Sequence, residues 1–318
     1  MSIKVNPLAQ VIARVYLAFS YQRGSLRRPV GKWAKALRRN WLKVGDPVVE
    51  CDVGRFCLCM PLSHELLILR KVNPTYDTAL PRICAWVRSV EARLSCIDVG
   101  ANIGDTIALI ASEVDGQFMA VEASDKFFAL LEHNYRNHPN VQCVRAVCGE
   151  NGGDSVSIVT HQGTGFVSKS EVGGTQTCSL DELLKRYTGF EGANVLKCDT
   201  DGYDYKVLRG AVGLLRRSQP VVYFELNPPE LLRQHEQLLS IFPLFEAAGY
   251  KRCLLYDNVG FPVVEMELCE RSQLKQLIAF ISAKPHSYFD VLVIPERLSS
   301  GANEFIASEF SRLVAPKL

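Results

Sequence analysis

The sequence predicts an α/β fold, a mostly parallel seven-stranded sheet with helices on both faces, preceded by a basic helical extension. Three observations carry this. From residue 94 onward short apolar runs alternate with stretches of helical period, the pattern of successive βαβ units. The first run, C-I-D-V-G-A-N-I-G at 96–104, is an apolar strand that ends on an acidic residue and turns through glycines into a helix. Glycine permits such a turn and lets backbone N–H groups face a ligand, while the helix N-terminus adds partial positive charge. The next run again ends on a carboxylate, Glu122, one βαβ step after Asp98, where a ribose diol is held in sheets of this kind.

Taken in order, residues 1–45 contain ten Lys/Arg and no Asp or Glu, so positions 46–318 carry −8 although the whole chain is +2. Val11, Ile12, Val15, Leu17, Ala18 and Phe19 supply one face of a short helix. Arg27, Arg28, Lys32, Lys35, Arg38 and Arg39 follow, with Trp33 and Trp41 interleaved. Such an arm either lies on an anionic membrane surface, binds nucleic acid through phosphate contacts, the less favoured partner, or packs on the body with its basic side solvated. Residues 48–60 predict paired strands around Gly54, and 63–90 predict helices broken at Pro74 and Pro81. Strands follow near 94–98, 117–121, 141–147, 194–198, 220–225, 250–256 and 288–294. Helices fall near 105–114, 125–137, 179–187, 204–216, 230–248, 271–283 and 303–314. Between the third and fourth strands, Ser155 to Val167 alternates amid glycines at 152–153, 163, 165 and 173–174, which predicts a β-hairpin insertion. The closing F-D-V-L-V-I-P suits an antiparallel last strand. The chain thus divides into a basic helical arm (1–45), a strand and helix extension (46–90), an α/β domain (91–298) and a C-terminal helix (299–318).

Composition narrows the class. With 318 residues, 47% of them hydrophobic, the chain can bury one sizeable core. No apolar run approaches the ~18 residues of a membrane span, and no signal-peptide pattern is present. Eleven cysteines, odd in number and without C-x-x-C spacing, point to a reduced, cytoplasmic compartment, with the basic arm allowing a peripheral place at the inner face of a membrane. Cys57 and Cys59 alternate along one strand face and Cys96 and Cys198 lie inside apolar strands, so buried small hydrophobes are expected rather than thiol chemistry or zinc. The six histidines have no ligand-like spacing.

Ligands of open α/β sheets bind beyond the carboxyl ends of the strands, and Asp98, Glu122, Asp199 and Glu225 all stand at such ends. Any one of them serves equally well as a helix cap or as a partner of Lys197 or Arg209, but four at corresponding ends of one sheet point to a site. A dinucleotide loop needs glycine where this chain has Ala101 and Asn102, so NAD and FAD are disfavoured.

The acidic-x-G-x-x-x-G pattern is similar to motif I of class I S-adenosylmethionine-dependent methyltransferases. The order D-V-G-A-N-I-G (98–104), A-V-E-A-S (120–124), C-S-L-D-E-L-L (178–184), L-K-C-D-T-D-G-Y-D (196–204), V-L-R-G-A (207–211) and Q-P-V-V-Y-F-E-L (219–226) resembles the FkbM family of methyltransferases. That family usually reads K-I-D-V-E-G in the fourth segment, where this chain has Asp201 in place of the glutamate. The resemblance implies a Rossmann-like class I methyltransferase fold and S-adenosyl-L-methionine as cofactor. It further implies O-methylation of a small-molecule or glycan acceptor: a hydroxyl on a glycan, glycolipid precursor or secondary metabolite. An N-methyltransferase and a non-catalytic cofactor-binding adaptor remain open. By resemblance, Asp98, Gly100, Asn102, Gly104 and Thr106 surround the methionine part of the cofactor. Glu122, with Ala123 beside it, takes the ribose hydroxyls, and the segment 145–148, with Val147, flanks the adenine.

A hydroxyl acceptor needs a general base or a bound cation to shed its proton. Asp199 and Asp201 are the candidates, with Lys197 and Glu225 in support, and Asp199, Asp201 and Glu225 are the ligand set if a divalent cation such as Mg²⁺ is used. Against this, Asp201-Gly202 is ordinary turn chemistry, and the pair also suits an N-cap before the helix at 204.

Overall fold

The computed structural model of the protein describes residues 3–19, 28–161, 164–169, 174–284 and 287–314. Its strands are, in chain order, β1 (Val48–Val53), β2 (Phe56–Pro61), β3 (Ser95–Val99), β4 (Gln117–Glu122), β5 (Val141–Arg145), β6 (Val147–Gly149), β7 (Ser155–His161), β8 (Thr164–Lys169), β9 (Thr175–Ser179), β10 (Val195–Cys198), β11 (Val221–Leu226), β12 (Tyr250–Asp257), β13 (Pro262–Glu267) and β14 (Phe289–Pro295).

The main sheet runs β13-β12-β14-β11-β10-β3-β4-β5. β3, β4, β5, β10 and β11 pair in parallel, and β14 enters antiparallel between β11 and β12. This corrects the expected count, because β13 adds an eighth strand. Its buried positions alternate with exposed ones and it sets Glu265 and Glu267 on the open edge, where charge discourages further pairing.

Two further boundaries differ from expectation. The third strand divides: residues 141–145 stay in the main sheet, while β6 turns away into a second sheet of order β6-β9-β7-β8. The expected hairpin is β7 against β8, and β9 extends it; Gly163 and Gly173 lie outside the described residues, as does Arg27. The helix expected over 204–216 breaks into Asp204–Arg209 and Val212–Arg217, because Gly210 packs so tightly on β6 that a Cβ there falls 2.0 Å from the Gly149 carbonyl oxygen. The one expected over 230–248 is likewise two short helices, Pro228–Arg233 and Phe242–Ala247. Pro81 does not break its helix: it sits in the first turn of Ala79–Val90, where a missing N–H costs no hydrogen bond.

Apolar side chains fill both faces of the sheet. One face carries Ile97, Val121, Leu196 and Phe224 against Tyr205 and Phe245, and the other carries Cys96, Phe118, Val195 and Val221 with Trp86 stacked on Phe305 at 4.8 Å. A third cluster lies under the N-terminal extension, where Ala9, Val49, Leu58, Met60 and Leu67 meet Phe127 and Leu130 of the helix Asp125–Tyr135.

The arm therefore packs on the body. Its helix Pro7–Phe19 buries Ala9, Ala13 and Tyr16, and Gln10 exchanges two hydrogen bonds with the backbone of Glu50. In the helix Arg28–Trp41, Arg38 donates to the carbonyls of Leu62 and Ser63 at 2.9 and 2.8 Å and lies over the Tyr16 ring. Among the described residues no helix is long and apolar enough to cross a membrane. All eleven cysteines are free; Cys59, Cys96 and Cys198 are buried as expected, but Cys57, next to the turn between β1 and β2, is exposed.

Candidate active site

β3 is buried along its whole length, and its chain turns at Gly100 with φ 86°. A side chain there is impossible: a Cβ would lie 1.8 Å from the Asp199 carbonyl oxygen, so the loops after β3 and β10 meet backbone to backbone. The Gly100 and Ala101 N–H groups donate to the Val121 carbonyl, and Asn102 takes φ 51°, which turns its own N–H toward Glu122. Glu122 is buried and accepts that N–H at 2.8 Å and the Ser124 N–H at 2.7 Å. Burial outweighs these two bonds and raises its pKa.

The glycine loop and the strand ends enclose a cavity of about 340 Å³. Gly100, Asn102, Thr106, Glu122, Ala123 and Val147 line it, so most of the expected cofactor residues come together. Two do not reach the wall. Gly104 packs on Tyr135, whose hydroxyl donates to its carbonyl at 2.5 Å, and its positive φ and the helix contact account for the glycine. Asp98, wholly buried, lies behind the wall and pairs with Lys197 across neighbouring parallel strands at 3.0 Å. The ion-pair alternative therefore describes Asp98. Arg209 instead pairs with Glu150 and Glu236.

Lys197, Asp199, Asp201 and Glu225 also line the cavity, at the neighbouring strand ends. Lys197 reaches Asp98 and, at 3.4 Å, Asp199. Burial works against its ammonium, but Asp98, Asp199 and Asp77 prevail and hold it well above the ordinary lysine range. It is thus held as a positive charge between Asp98 and Asp199. Asp199 leaves the end of β10 with its side chain 51% exposed to the cavity mouth. Asp201 takes the left-handed turn conformation, φ 51°, beside Gly202 at φ 93°. It accepts a backbone hydrogen bond from Gly165 of β8, and burial, then Asp199, push its pKa up to about 8.

The reading of the sequence missed several residues in the wall or behind it. Asp204, fully buried, gathers the Thr200 N–H, the Thr200 hydroxyl and the Gly202 N–H on one oxygen, which shapes the turn that presents Asp199 and Asp201; burial lifts its pKa to about 7. D-G-Y-D, an acid at a helix start, was the available signal. His64 comes from the extension: its Nδ1 accepts the Leu66 N–H, so the proton sits on Nε2, 3.3 Å from the Asn102 side-chain oxygen. Asp77 and Asp290 complete an acidic ring with Tyr76 and Tyr288. Burial and neighbouring carboxylates raise Asp77 to about 7 and hold Glu225 and Asp290 well above the carboxylate range. Asp290 was legible in principle, because an antiparallel β14 begins at the end where its neighbours finish. Among the described residues no group of three His, Cys, Asp or Glu is placed to hold a metal ion, so Asp199, Asp201 and Glu225 do not form the conditional Mg²⁺ site.

Comparison with known proteins bears on this arrangement. Residues 98–252 match the family model described as the methyltransferase FkbM domain. No curated protein matches the sequence. Among solved structures, the methyltransferase FkbM of Methylobacillus flagellatus is 17% identical with TM-score 0.35, the alignment covering 61% of this chain and 48% of that one, so the chain spans about half its length. The O-methyltransferase of Bacillus cereus, solved in complex with SAH, is 11% identical over 68% of this chain and 81% of that one, with TM-score 0.37. The precorrin-6y C5,15-methyltransferase of Geobacter metallireducens is 11% identical over 68% and 87%, with TM-score 0.36. Residues 98–252 thus match a methyltransferase FkbM domain and lie on a mostly parallel, Rossmann-like α/β sheet with its glycine loop in place.

Proposed function

We propose that the protein is an S-adenosylmethionine-dependent methyltransferase that methylates a hydroxyl of a glycan, glycolipid precursor or secondary metabolite in the cytoplasm. The observation that supports it most is one cavity that joins the glycine loop and Glu122 to the carboxyl-lined ends of β10, β11 and β14. The residues present fit the cofactor. The loop backbone approaches closely at Gly100, each Glu122 oxygen keeps a lone pair beyond its backbone bond, Val147 gives an apolar wall, and the acidic side suits a cationic ligand. When bound, S-adenosylmethionine supplies an electrophilic methyl group on a sulfonium.

The chain's own groups then have separable tasks. Glu122 holds the loop through Asn102 and accepts hydroxyl donors with its remaining lone pairs. Lys197 fixes Asp98 and Asp199. Asp199, at the cavity mouth, takes the proton of the acceptor hydroxyl, whereas Asp201 below about pH 8 is neutral and anchors β8. Alignment of acceptor and methyl group contributes ~7–11 kcal/mol and a base ~10²–10⁴ in rate. Neutral carboxyls and the phenols of Tyr76 and Tyr288 both donate and accept hydrogen bonds, which favours a polyhydroxyl acceptor over an amine. Calorimetry with S-adenosylhomocysteine, followed by a screen of glycans for labelled methyl uptake, tests this. Absence of cofactor binding sinks the proposal, and uptake on amines alone replaces hydroxyl with nitrogen.

A further inference from the structure

The arm does more than cover the body. In the helix Pro7–Phe19 the buried side is Ala9, Ala13 and Tyr16, and helical spacing puts Leu8, Val11, Val15 and Ala18 on the opposite side. That outer side is apolar apart from Arg14: Leu8 is 67% and Val11 58% exposed. Apolar side chains on two sides of a helix normally meet protein or lipid on both. The adjoining helix Arg28–Trp41 buries Ala34 and exposes Trp33, at 64%, together with Lys32 and Arg39. Val44, just beyond it and beside Lys43, is 85% exposed. Apolar side chains, an exposed tryptophan and lysines or arginines, without one acidic residue across 45 positions, are the makeup of a surface that sits in the interfacial region of a bilayer.

The geometry points to the outer face of this helix pair as a docking surface for an anionic lipid bilayer. The occupant follows from charge: an arm with ten basic and no acidic residues complements anionic headgroups, whereas the same face of a second copy, equally basic, is repelled. Exposed Leu8, Val11 and Trp33 then enter the headgroup region, while Lys32 and Arg39 meet the phosphates. The same helix is tied to the site. Arg38 holds the carbonyls of Leu62 and Ser63, and the next residue is His64, the contact of the glycine loop at Asn102.

The experiment is co-sedimentation of the full chain with phosphatidylcholine vesicles, with and without phosphatidylglycerol. We expect binding to the anionic vesicles only, reduced about tenfold or more by the pair Lys32→Glu/Arg39→Glu and by salt that shortens the Debye length below ~8 Å. The pair Val11→Asp/Trp33→Asp is expected to abolish binding with helicity by circular dichroism unchanged. Should that pair unfold the protein, tryptophan fluorescence decides instead: anionic vesicles shift the wild-type emission to the blue, and Trp33→Phe removes the shift while binding persists. No binding at low salt overturns the proposal. So does binding that survives Val11→Asp/Trp33→Asp, an oligonucleotide that displaces the vesicles from that face, or a dimer in ultracentrifugation that the same apolar substitutions dissociate.

Discussion

Lys197→Met tests the electrostatic frame of the site. Lys197 is 6% exposed and Asp98 is wholly buried, 3.0 Å away, with no hydrogen bond from any other described residue to its carboxylate. Removing one partner of such a pair strands the other, at a cost of ~3–5 kcal/mol. The sign of the pH dependence follows. Burial already raises the Asp98 pKa, and without the ammonium it rises further, so the folded state binds the proton more tightly than the unfolded chain, whose carboxyl titrates near ~3.9. Stability is then lost as pH climbs from that value through the folded pKa. The Lys197→Met penalty should be small near pH ~4 and grow as pH rises through the folded pKa. Adding Asp98→Asn should recover at least half of it, since a neutral amide needs no counter-charge. Urea unfolding at several pH values reads all three. A penalty under ~1 kcal/mol at neutral pH, a penalty flat with pH, or a double variant no better than the single one would refute the reasoning.

The other outcomes divide the roles around the cavity. Glu122→Ala should weaken cofactor binding by a few kcal/mol, since hydrogen bonds to a charged group are worth ~1.5–3 kcal/mol each, and Glu122→Gln, which still accepts the Asn102 N–H, should lose less; equal affinity for all three proteins in calorimetry removes Glu122 from the site. Asp199→Asn should lower turnover ~10²–10⁴-fold with cofactor affinity little changed, whereas Asp201→Asn should cost less. If Asp201 were the base, turnover would rise with a midpoint near 8, the pH at which burial lets it ionise, so a wild-type profile with that inflection, lost in Asp201→Asn, would transfer the role from Asp199 to Asp201.

Much of this fold was legible because its signals are local. Period-two apolar runs, glycine turns and acid-terminated strands stand in consecutive residues, and the seven expected strands, the hairpin and the FkbM segments follow from them. The splits at Ala146 and Gly210 were not legible: each depends on the close packing of β6 against the chain at Gly210, a contact between residues distant in sequence. The candidate site shows the same division. Gly100, Asn102, Glu122 and Val147 line the cavity where the motif order placed them. The partner of Lys197 was not legible, since only the pairing of β10 with β3 sets it beside Asp98. His64, Asp77 and Asp290 come from segments without a motif, and the fold alone brings them to the same wall.

That wall also bears on turnover. Asp77, Asp199, Asp201, Glu225 and Asp290 face one ammonium, and burial keeps Asp77, Asp201, Glu225 and Asp290 above the ordinary carboxylate range. Groups poised in this way ionise when a cation approaches and take the proton back when it leaves. Methyl transfer discharges a sulfonium to a neutral thioether, so on the proposed reading the acidic wall holds the charged cofactor more firmly than its spent form. Too firm a hold would oppose the loss of charge in the transition state. Lys197 sets that limit, because its ammonium cancels part of the field while its pairing with Asp98 and Asp199 keeps it in place.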